Sequence, residues 1–410
     1  MKKFIALLLT LVMMISITAV YAEDTTITYA CFSASGAQEE TLKKMIEVFE
    51  SKNPGIKVDV QLTGYNDYFT KLATQIGGGN PPDVFEVNME NFLAYMLRDA
   101  CADLSELGIN TANYSEGTLE AVKNDGKLYA VPMSFSTCLL IYNKDLFDKE
   151  GVAYPTDEWT WDDMQAAAEK ITDKDNDIWG VFQPISYHEL YKSVGTNGGS
   201  LLNDDFTEFT VNSPENVEVL DKMLKRVRGE NRVQPTQEDM AGRGDWDLFT
   251  EGKLAMIITG IWAFPTFTEK CSFPWDVVVE PGNTQKSTFF FANVNSISSA
   301  SQNKEAAAKF IDAMGSDPDI VKLRLDASWE LPTIADQSQL TQYLEISPPD
   351  NRKAVFDSMN YAAAPPALLE QGAVSEIIAN VLSTLETNEL TAQEALDEIQ
   401  AQLVDADLLK

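Results

Sequence analysis

Beyond residue 24 the chain switches repeatedly between two hydrophobic periods. Ile27, Tyr29 and Cys31 recur at every second position of Thr26–Phe32, the spacing of a half-buried strand. Across Gln38–Lys52 the apolar residues Leu42, Met45, Ile46 and Phe49 fall at helical spacing. Glu39 and Glu40 stand at the start of that segment, where the helix dipole favours acids, and Asn53-Pro54-Gly55 stops it. The alternation then repeats. Ile56, Val58, Val60 and Leu62 predict a second strand, Tyr65–Ile76 a helix burying Phe69, Leu72, Ala73 and Ile76, and Asp83–Val87 a third strand. Strand–helix–strand–helix–strand implies a parallel sheet with helices on both faces. Ligands of such sheets meet the loops at the carboxyl ends of the strands, here 33–36, 63–66 and 88–90.

The stretch Leu128–Glu150 departs from this rhythm. Two apolar, β-prone runs, Leu128–Pro132 and Cys138–Tyr142, are separated only by Met133-Ser134-Phe135-Ser136-Thr137. Pro132 has no N–H for a central ladder and is expected to end the first run. Two strands with no helix between them suit a crossing from one lobe to another, which would line the intervening cleft. They suit a hairpin inside one core equally well. Further on, Thr160 caps a helix with Asp162 and Asp163 in its first turn and Trp161, Met164 and Ala168 inward. Ser213-Pro214 opens another, with Val217, Leu220, Leu224 and Val227 inward. Leu254–Thr259 reads as a buried strand ending at Gly260, Lys304–Met314 as a helix, and Ser375–Glu386 and Thr391–Leu403 as two closing helices.

Composition narrows the chemistry. Lys2-Lys3, the apolar run Phe4–Val20 and Val20-Tyr21-Ala22 have the three regions of a secretory signal, with cleavage expected after Ala22. Loss of those two lysines moves the net charge from −32 to −34. Such charge repels nucleic acid, anionic membrane and phosphorylated ligands, and favours neutral or cationic ones. The remaining length exceeds what one core usually supports, so two lobes are expected. Cys31, Cys101, Cys138 and Cys271 allow three pairings, or four buried free thiols. His188 is the single histidine. With no CxxC and no GxSxG elbow, the residues argue against most hydrolytic and metal chemistry, and no metal or cofactor is expected. Gly77-Gly78-Gly79-Asn80-Pro81-Pro82 lacks the Lys-Ser/Thr of a phosphate loop and precedes a strand, so it reads as a helix stop. Asp173-Lys174-Asp175-Asn176-Asp177 resembles half a calcium loop, but Ile178 and Pro184 stand where glycine and glutamate are needed.

Several segments together carry a family resemblance. KKMIEVFESKNPGIKVDV, NDYFTKLATQIGGGNPPDVFEVN, GKLYAVPMS with LLIYNKDLFDKEGV, FTEGKLAMIITGIWAFPTF and ISSASQNKEAAAKFIDAM follow in order over nearly the whole mature chain. This series resembles the extracellular solute-binding proteins of ABC importers, family 1, the sugar-binding type that includes the maltose-binding protein. The resemblance implies an α/β, two-lobe periplasmic-binding-protein fold whose lobes are joined by three hinge crossings and close on a ligand. The crossings would fall near Ser134–Thr137, Phe290–Val294 and Ser328–Pro332. The lobes would then comprise 23–133 with 294–328, and 134–293 with 329–410. A monomer, exported to the periplasm or outside the cell, would deliver its ligand to the transmembrane subunits of a permease.

Sugar rings offer apolar C–H faces to aromatic rings and hydroxyls to planar polar groups, so the site should combine tryptophan or tyrosine platforms with Asp, Glu, Asn and Arg. Trp262 lies in a segment similar to the family's Gly-x-Trp motif, where the indole commonly stacks on the ligand. Trp329 and Glu330 stand at the third crossing, Ser134 and Ser136 at the first, and Asn293 at the second, where many relatives carry glycines. Ser33, Asn66, Asp83 and Asn88 are expected at or just beyond the carboxyl ends of strands of the first lobe. Tyr187 falls where the family often places an aromatic contact, whereas neighbouring His188 reads as a surface residue. Trp159, Trp161, Trp179, Trp246 and Trp275 read as core or lobe surface. The expected ligand is a neutral mono- or oligosaccharide. Two alternatives stay open: an exported glycoside hydrolase, needing two facing carboxylates, and a binding protein for a polyamine, which the acidity suits.

Overall fold

The structure, a computed structural model, describes residues 24–409 apart from 37, 115, 335–337, 339 and 364. The secretory signal expected over 1–22 lies outside the described residues. Strand β1 (Thr25–Cys31) pairs in parallel with β2 (Ile56–Leu62) from Thr25↔Ile56 to Cys31↔Leu62, and with β3 (Val84–Asn88) at Tyr29↔Val84. Helices Glu39–Lys52 and Tyr65–Gly77 make the connections. The first buries Leu42, Met45, Ile46 and Phe49, as its spacing requires. The second is turned from the expected stripe. Tyr68 and Leu72 are buried in it while Ala73 is exposed, because the Tyr68 hydroxyl reaches in to the carbonyls of Ala30 (3.1 Å) and Glu86 (2.7 Å).

After a small hairpin of β4 (Lys123–Asn124) and β5 (Lys127–Leu128) comes β6 (Val131–Asn143), thirteen residues without a break. The sequence predicted two strands interrupted at Pro132. One strand forms because Pro132 sits at a bulge: its partner β10 (Thr288–Ile297) pairs Asn293 with Ser134 and then Val294 with Pro132, skipping Met133. The missing N–H falls where the ladder is already offset. Between them in sequence lie β7 (Trp179–Phe182), β8 (Leu254–Gly260) and β9 (Trp275–Val279), and β11 (Leu331–Pro332) follows. The sheet order is β2-β1-β3-β10-β6-β8-β7, with β9 and β11 also on β6.

The side chains sort into separate cores. Ile27, Phe49, Phe85, Val131, Met133, Val294 and Phe310 belong to the first. The far half of β6 enters two others. Leu140 and Tyr142 pack with Trp161 and Ile258 on one face, and Leu139 and Ile141 pack with Phe264 and Val277 on the other. That division is the period of two of a strand buried on both faces. Helix Lys304–Ser316 returns Phe310, Ile311 and Met314 to the first core. Trp329 belongs to that core too, yet Leu331, two residues on, belongs to the third. Three passages therefore run side by side, with Ser134 facing both Asn293 and Pro332, and Phe135 facing both Ala292 and Leu331.

Candidate ligand-binding site

A cavity of about 420 Å³ lies on one face of these passages. Ser136 and Cys138 of β6, Phe291 and Asn293 of β10, and Glu330 just ahead of β11 line its floor. One wall carries Phe32, Ser33, Ser35 and Gln38 after β1, Tyr65, and Asn88 at the end of β3. The facing wall carries Ser186, His188, Asp245, Trp246 and Trp262.

Buried polar groups hold these elements in place. The Glu86 carboxylate, inside β3, accepts the N–H groups of Phe32 (2.9 Å) and Ser33 (3.0 Å) and so fixes the loop after β1. Burial raises its pKa, partly offset by those donors and by Arg324. Asn88 donates to Glu90 (2.6 Å) and accepts from Asn91 (2.7 Å). Glu90 also accepts from the Tyr65 hydroxyl (3.3 Å), and His188 Nε2 lies 3.0 Å from the same Glu90 oxygen. That last contact joins the two walls.

Glu330 has a left-handed backbone (φ 46°), an unfavourable conformation for a residue with a Cβ. Its carboxyl is pushed up by burial, an effect opposed by hydrogen bonding from Ser134 and by the charge of Arg324. Trp262 follows β8 on a single helical turn and meets Phe291 edge-on, with ring centroids 5.1 Å apart. A Cβ on Gly260 would lie 1.9 Å from the Trp262 ring, so only glycine lets the indole fold back over the strand end.

Six of the residues expected to contact ligand line this cavity: Ser33, Asn88, Ser136, Trp262, Asn293 and Glu330. Ser134 lies behind it, buried, with its hydroxyl on Glu330. Asn66 is exposed in the first turn of its helix, and the preceding Tyr65 takes the cavity position. Asp83 stands at the amino end of β3, opposite to Asn88, where it accepts from Thr28 N–H (2.9 Å) and Ser301 Oγ (2.6 Å). Tyr187 points into the second core and accepts from Gln371 (2.7 Å), while His188, read as a surface residue, faces the cavity. Trp329 is buried beneath the Arg324 guanidinium, 4.3 Å from its ring. Sequence reasoning missed Gln38, Asp245 and Trp246. Asp245-Trp246 is an acid beside an indole, a pairing of the residue types expected at a sugar site that could have marked it.

Among the described residues no group of three or more His, Cys, Asp or Glu is placed to hold a metal ion. In the calcium-like segment Asp177 is engaged by Arg243 at 2.9 Å. All four cysteines are free, and burial pushes the thiols of Cys101 and Cys271 up to about 12. Among the described residues no helix is long and apolar enough to cross a membrane.

A sequence model of the bacterial extracellular solute-binding proteins matches residues 33–319. The chain belongs to that family. Among solved structures this solute-binding protein is similar to an ABC substrate-binding protein of Listeria monocytogenes in complex with cycloalternan. The two are 43% identical with a TM-score of 0.89, over 94% of this chain and 99% of the other. A solute-binding protein of Thermotoga lettingae bound with alpha-D-tagatose is 25% identical with a TM-score of 0.82, over 94% and 100%. The diacetylchitobiose binding protein DasA of Streptomyces coelicolor is 27% identical over 220 residues, 52% of this chain and 50% of that one. These likenesses show the two-lobe binding-protein fold expected from the sequence. The family is one of solute-binding proteins, not enzymes, and the Listeria and Thermotoga relatives are binding proteins of ABC transporters.

Proposed function

We propose that this solute-binding protein captures a neutral sugar or short oligosaccharide in the cavity and delivers it to the transmembrane subunits of an ABC importer. The observation that carries this reading is the pairing of two indoles, Trp246 and Trp262, with uncharged polar groups such as Ser136 and Asn293 around one cavity. Indole faces suit the C–H faces of sugar rings, and the amides and hydroxyls suit their hydroxyls. The sugars bound by the Listeria, Thermotoga and Streptomyces relatives support the same class. In this reading the protein works as an exported monomer. Its lobes, 23–133 with 294–328 and 134–293 with 329–410, rock about the three side-by-side passages, and the ligand favours the closed arrangement.

A thermal-shift panel of neutral oligosaccharides and polyamines tests the ligand class, since a ligand that binds only the folded state raises its melting temperature. Stabilisation by sugars, with stoichiometric retention of labelled sugar and no product released, is the expected result. Stabilisation by polyamines alone, or turnover of the sugar, would overturn it.

A further inference from the structure

We propose that Glu90 is a positioning residue of the cavity and that its contact with His188 couples sugar capture to the uptake of a proton. This rests on the sugar reading above and adds a regulation to the same site. Glu90 lies in the first turn of helix Met89–Leu97 and is 6% exposed. Its Oε1 serves three side chains that line the cavity. The Asn88 amide donates to it at 2.6 Å, the Tyr65 hydroxyl donates at 3.3 Å, and His188 Nε2 lies 3.0 Å away. Asn88 and Tyr65 stand on one wall and His188 on the other. The walls belong to different cores: Met89 and Phe92, flanking Glu90, pack on the first, and Tyr187 and Leu190, flanking His188, pack in the second. The contact therefore forms only where the two cores meet across the cavity, and whatever strengthens it favours their approach.

The charge across that contact is set by pH. Glu90 Oε2 is buried and has no hydrogen-bond partner among the described residues. One oxygen thus carries all the compensation of a buried carboxylate, less than such a group ordinarily receives. A neutral imidazole meets Oε1 through one N–H, whereas an imidazolium brings a full positive charge to the same place. The other groups around the ring leave this role to Glu90. Tyr65 meets it edge-on with ring centroids 6.3 Å apart, and Phe289 and Phe291 of β10 present uncharged rings. On its own helix Tyr187 is held by Gln371 of the closing helix Gln371–Leu382, Tyr191 stacks on Tyr187, and Glu189 is paired with Lys192 at 2.8 Å. Of the remaining acids that line the cavity, Glu330 is taken up by Ser134 and Asn293, and Asp245 stands beside Trp246. An ordinary histidine gains its proton near pH ~6.5. A sugar that favours the joined walls should therefore bind more tightly below that pH and take up protons as it binds.

Titration calorimetry on the full mature chain tests this at pH 5.5 and pH 8, with maltotriose and cycloalternan as probes. Wild type is expected to bind at least one of them severalfold more tightly at pH 5.5. Near pH ~6.5 the heat of binding should vary with the ionisation heat of the buffer in the sense of proton uptake. His188→Gln and Glu90→Gln should each bind equally at the two pH values, without that uptake. Glu90→Ala, which also strands Asn88 and Tyr65, should lose about tenfold or more at both. Glu90→Gln keeps an acceptor for those two donors and should recover part of that loss at pH 8, and it carries the test where the alanine variant does not fold. Equal wild-type affinity at both pH values overturns the inference and leaves the sugar reading intact. So does a pH dependence that survives in His188→Gln or Glu90→Gln, which would belong to the Glu189, Lys192 and Glu280 group behind the wall. Failure of wild type to bind either probe at either pH overturns the sugar reading, and this inference with it.

Discussion

The carboxylate of Glu330 accepts a hydrogen bond from the Ser134 hydroxyl, joining the third passage between the cores to the first. Asn293 of the second passage donates to the same group at 3.3 Å, so one buried side chain ties all three. Hydrogen bonds to a charged group each contribute about 1.5–3 kcal/mol, and removal of the acceptor strands two buried donors. Glu330→Ala should therefore lower stability by about 2–4 kcal/mol, while Glu330→Gln, which keeps the shape, should cost about half as much. Urea unfolding of both variants measures this. Equal stability of the alanine variant and wild type would show that the three passages do not depend on Glu330.

Gly260 offers a sharper test of the site. Its backbone is ordinary extended chain (φ −88°), so an alanine there adds no strain of its own. The added methyl carbon would nonetheless lie 1.9 Å from the indole of Trp262, well inside contact distance. Gly260→Ala must displace that ring. Sugar affinity should fall about as far as in Trp262→Ala, by tenfold or roughly 1.4 kcal/mol, and the Trp262 contribution to ligand-induced fluorescence should vanish. Retained affinity in both variants would remove the indole from the site.

The repeating strands and helices of the first lobe were legible because their apolar stripes keep strict periods over whole elements. Leu42, Met45, Ile46 and Phe49 are buried as read. The passage at 131–143 was half legible: composition showed two apolar runs, but the bulge that admits Pro132 is created by β10, more than 150 residues away. Cavity-lining residues at strand ends, such as Ser33 and Asn88, followed from topology. Gln38 did not, because nothing local distinguishes a buried amide from an exposed helix start. Tyr187 and His188 show the same limit. Adjacent residues in the first turn of a helix differ by about 100° in direction, and only packing decided which entered the core and which faced the cavity.

Asp83 separates folding from binding. It receives Thr28 N–H (2.9 Å), Thr28 Oγ1 (3.0 Å) and Ser301 Oγ (2.6 Å), fastening the amino end of β3 to β1 and to the segment before helix Lys304–Ser316. Asp83→Ala should lower stability by about 2–3 kcal/mol and leave sugar affinity within twofold of wild type. Titration calorimetry well below the melting temperature distinguishes the two effects. A large loss of affinity in a folded Asp83→Ala protein would return this residue to the list of ligand contacts.

With one histidine in the chain, an imidazole signal needs no assignment. His188 lies 3.0 Å from Glu90 of the opposite wall, with ring centroids 5.5 Å from Phe289 and 5.8 Å from Phe291, so both that wall and the floor act on it. Ring-current fields change steeply over such distances. Saturation with a bound sugar should therefore shift the His188 ring protons, and His188→Gln should weaken sugar binding by several-fold. An imidazole resonance indifferent to saturating ligand would place the bound molecule elsewhere.

A buried charge network behind the facing wall predicts how stability depends on pH. Lys192 is 1% exposed and lies 2.8 Å from Glu189 and 2.6 Å from Glu280, so one ammonium serves two buried acids. Lys192→Met would leave both acids without their cation and should cost about 3–5 kcal/mol, enough to compromise folding. Burial pushes Glu280 up to about 7, with Lys192 opposing the rise and Glu189 adding to it. An unfolded glutamate titrates near ~4.3. Between those values the folded state holds more protons than the unfolded one, so stability falls as pH rises. The Glu280 contribution is fully present below about 4.3 and is lost as pH passes through about 7. Glu280→Gln cannot titrate and should lack this slope. The melting temperature of wild type minus that of Glu280→Gln should therefore decrease from pH 5 to pH 7.5. A difference that stays constant or grows over that range would show that Glu280 is already ionised at pH 5, with Lys192 outweighing its burial.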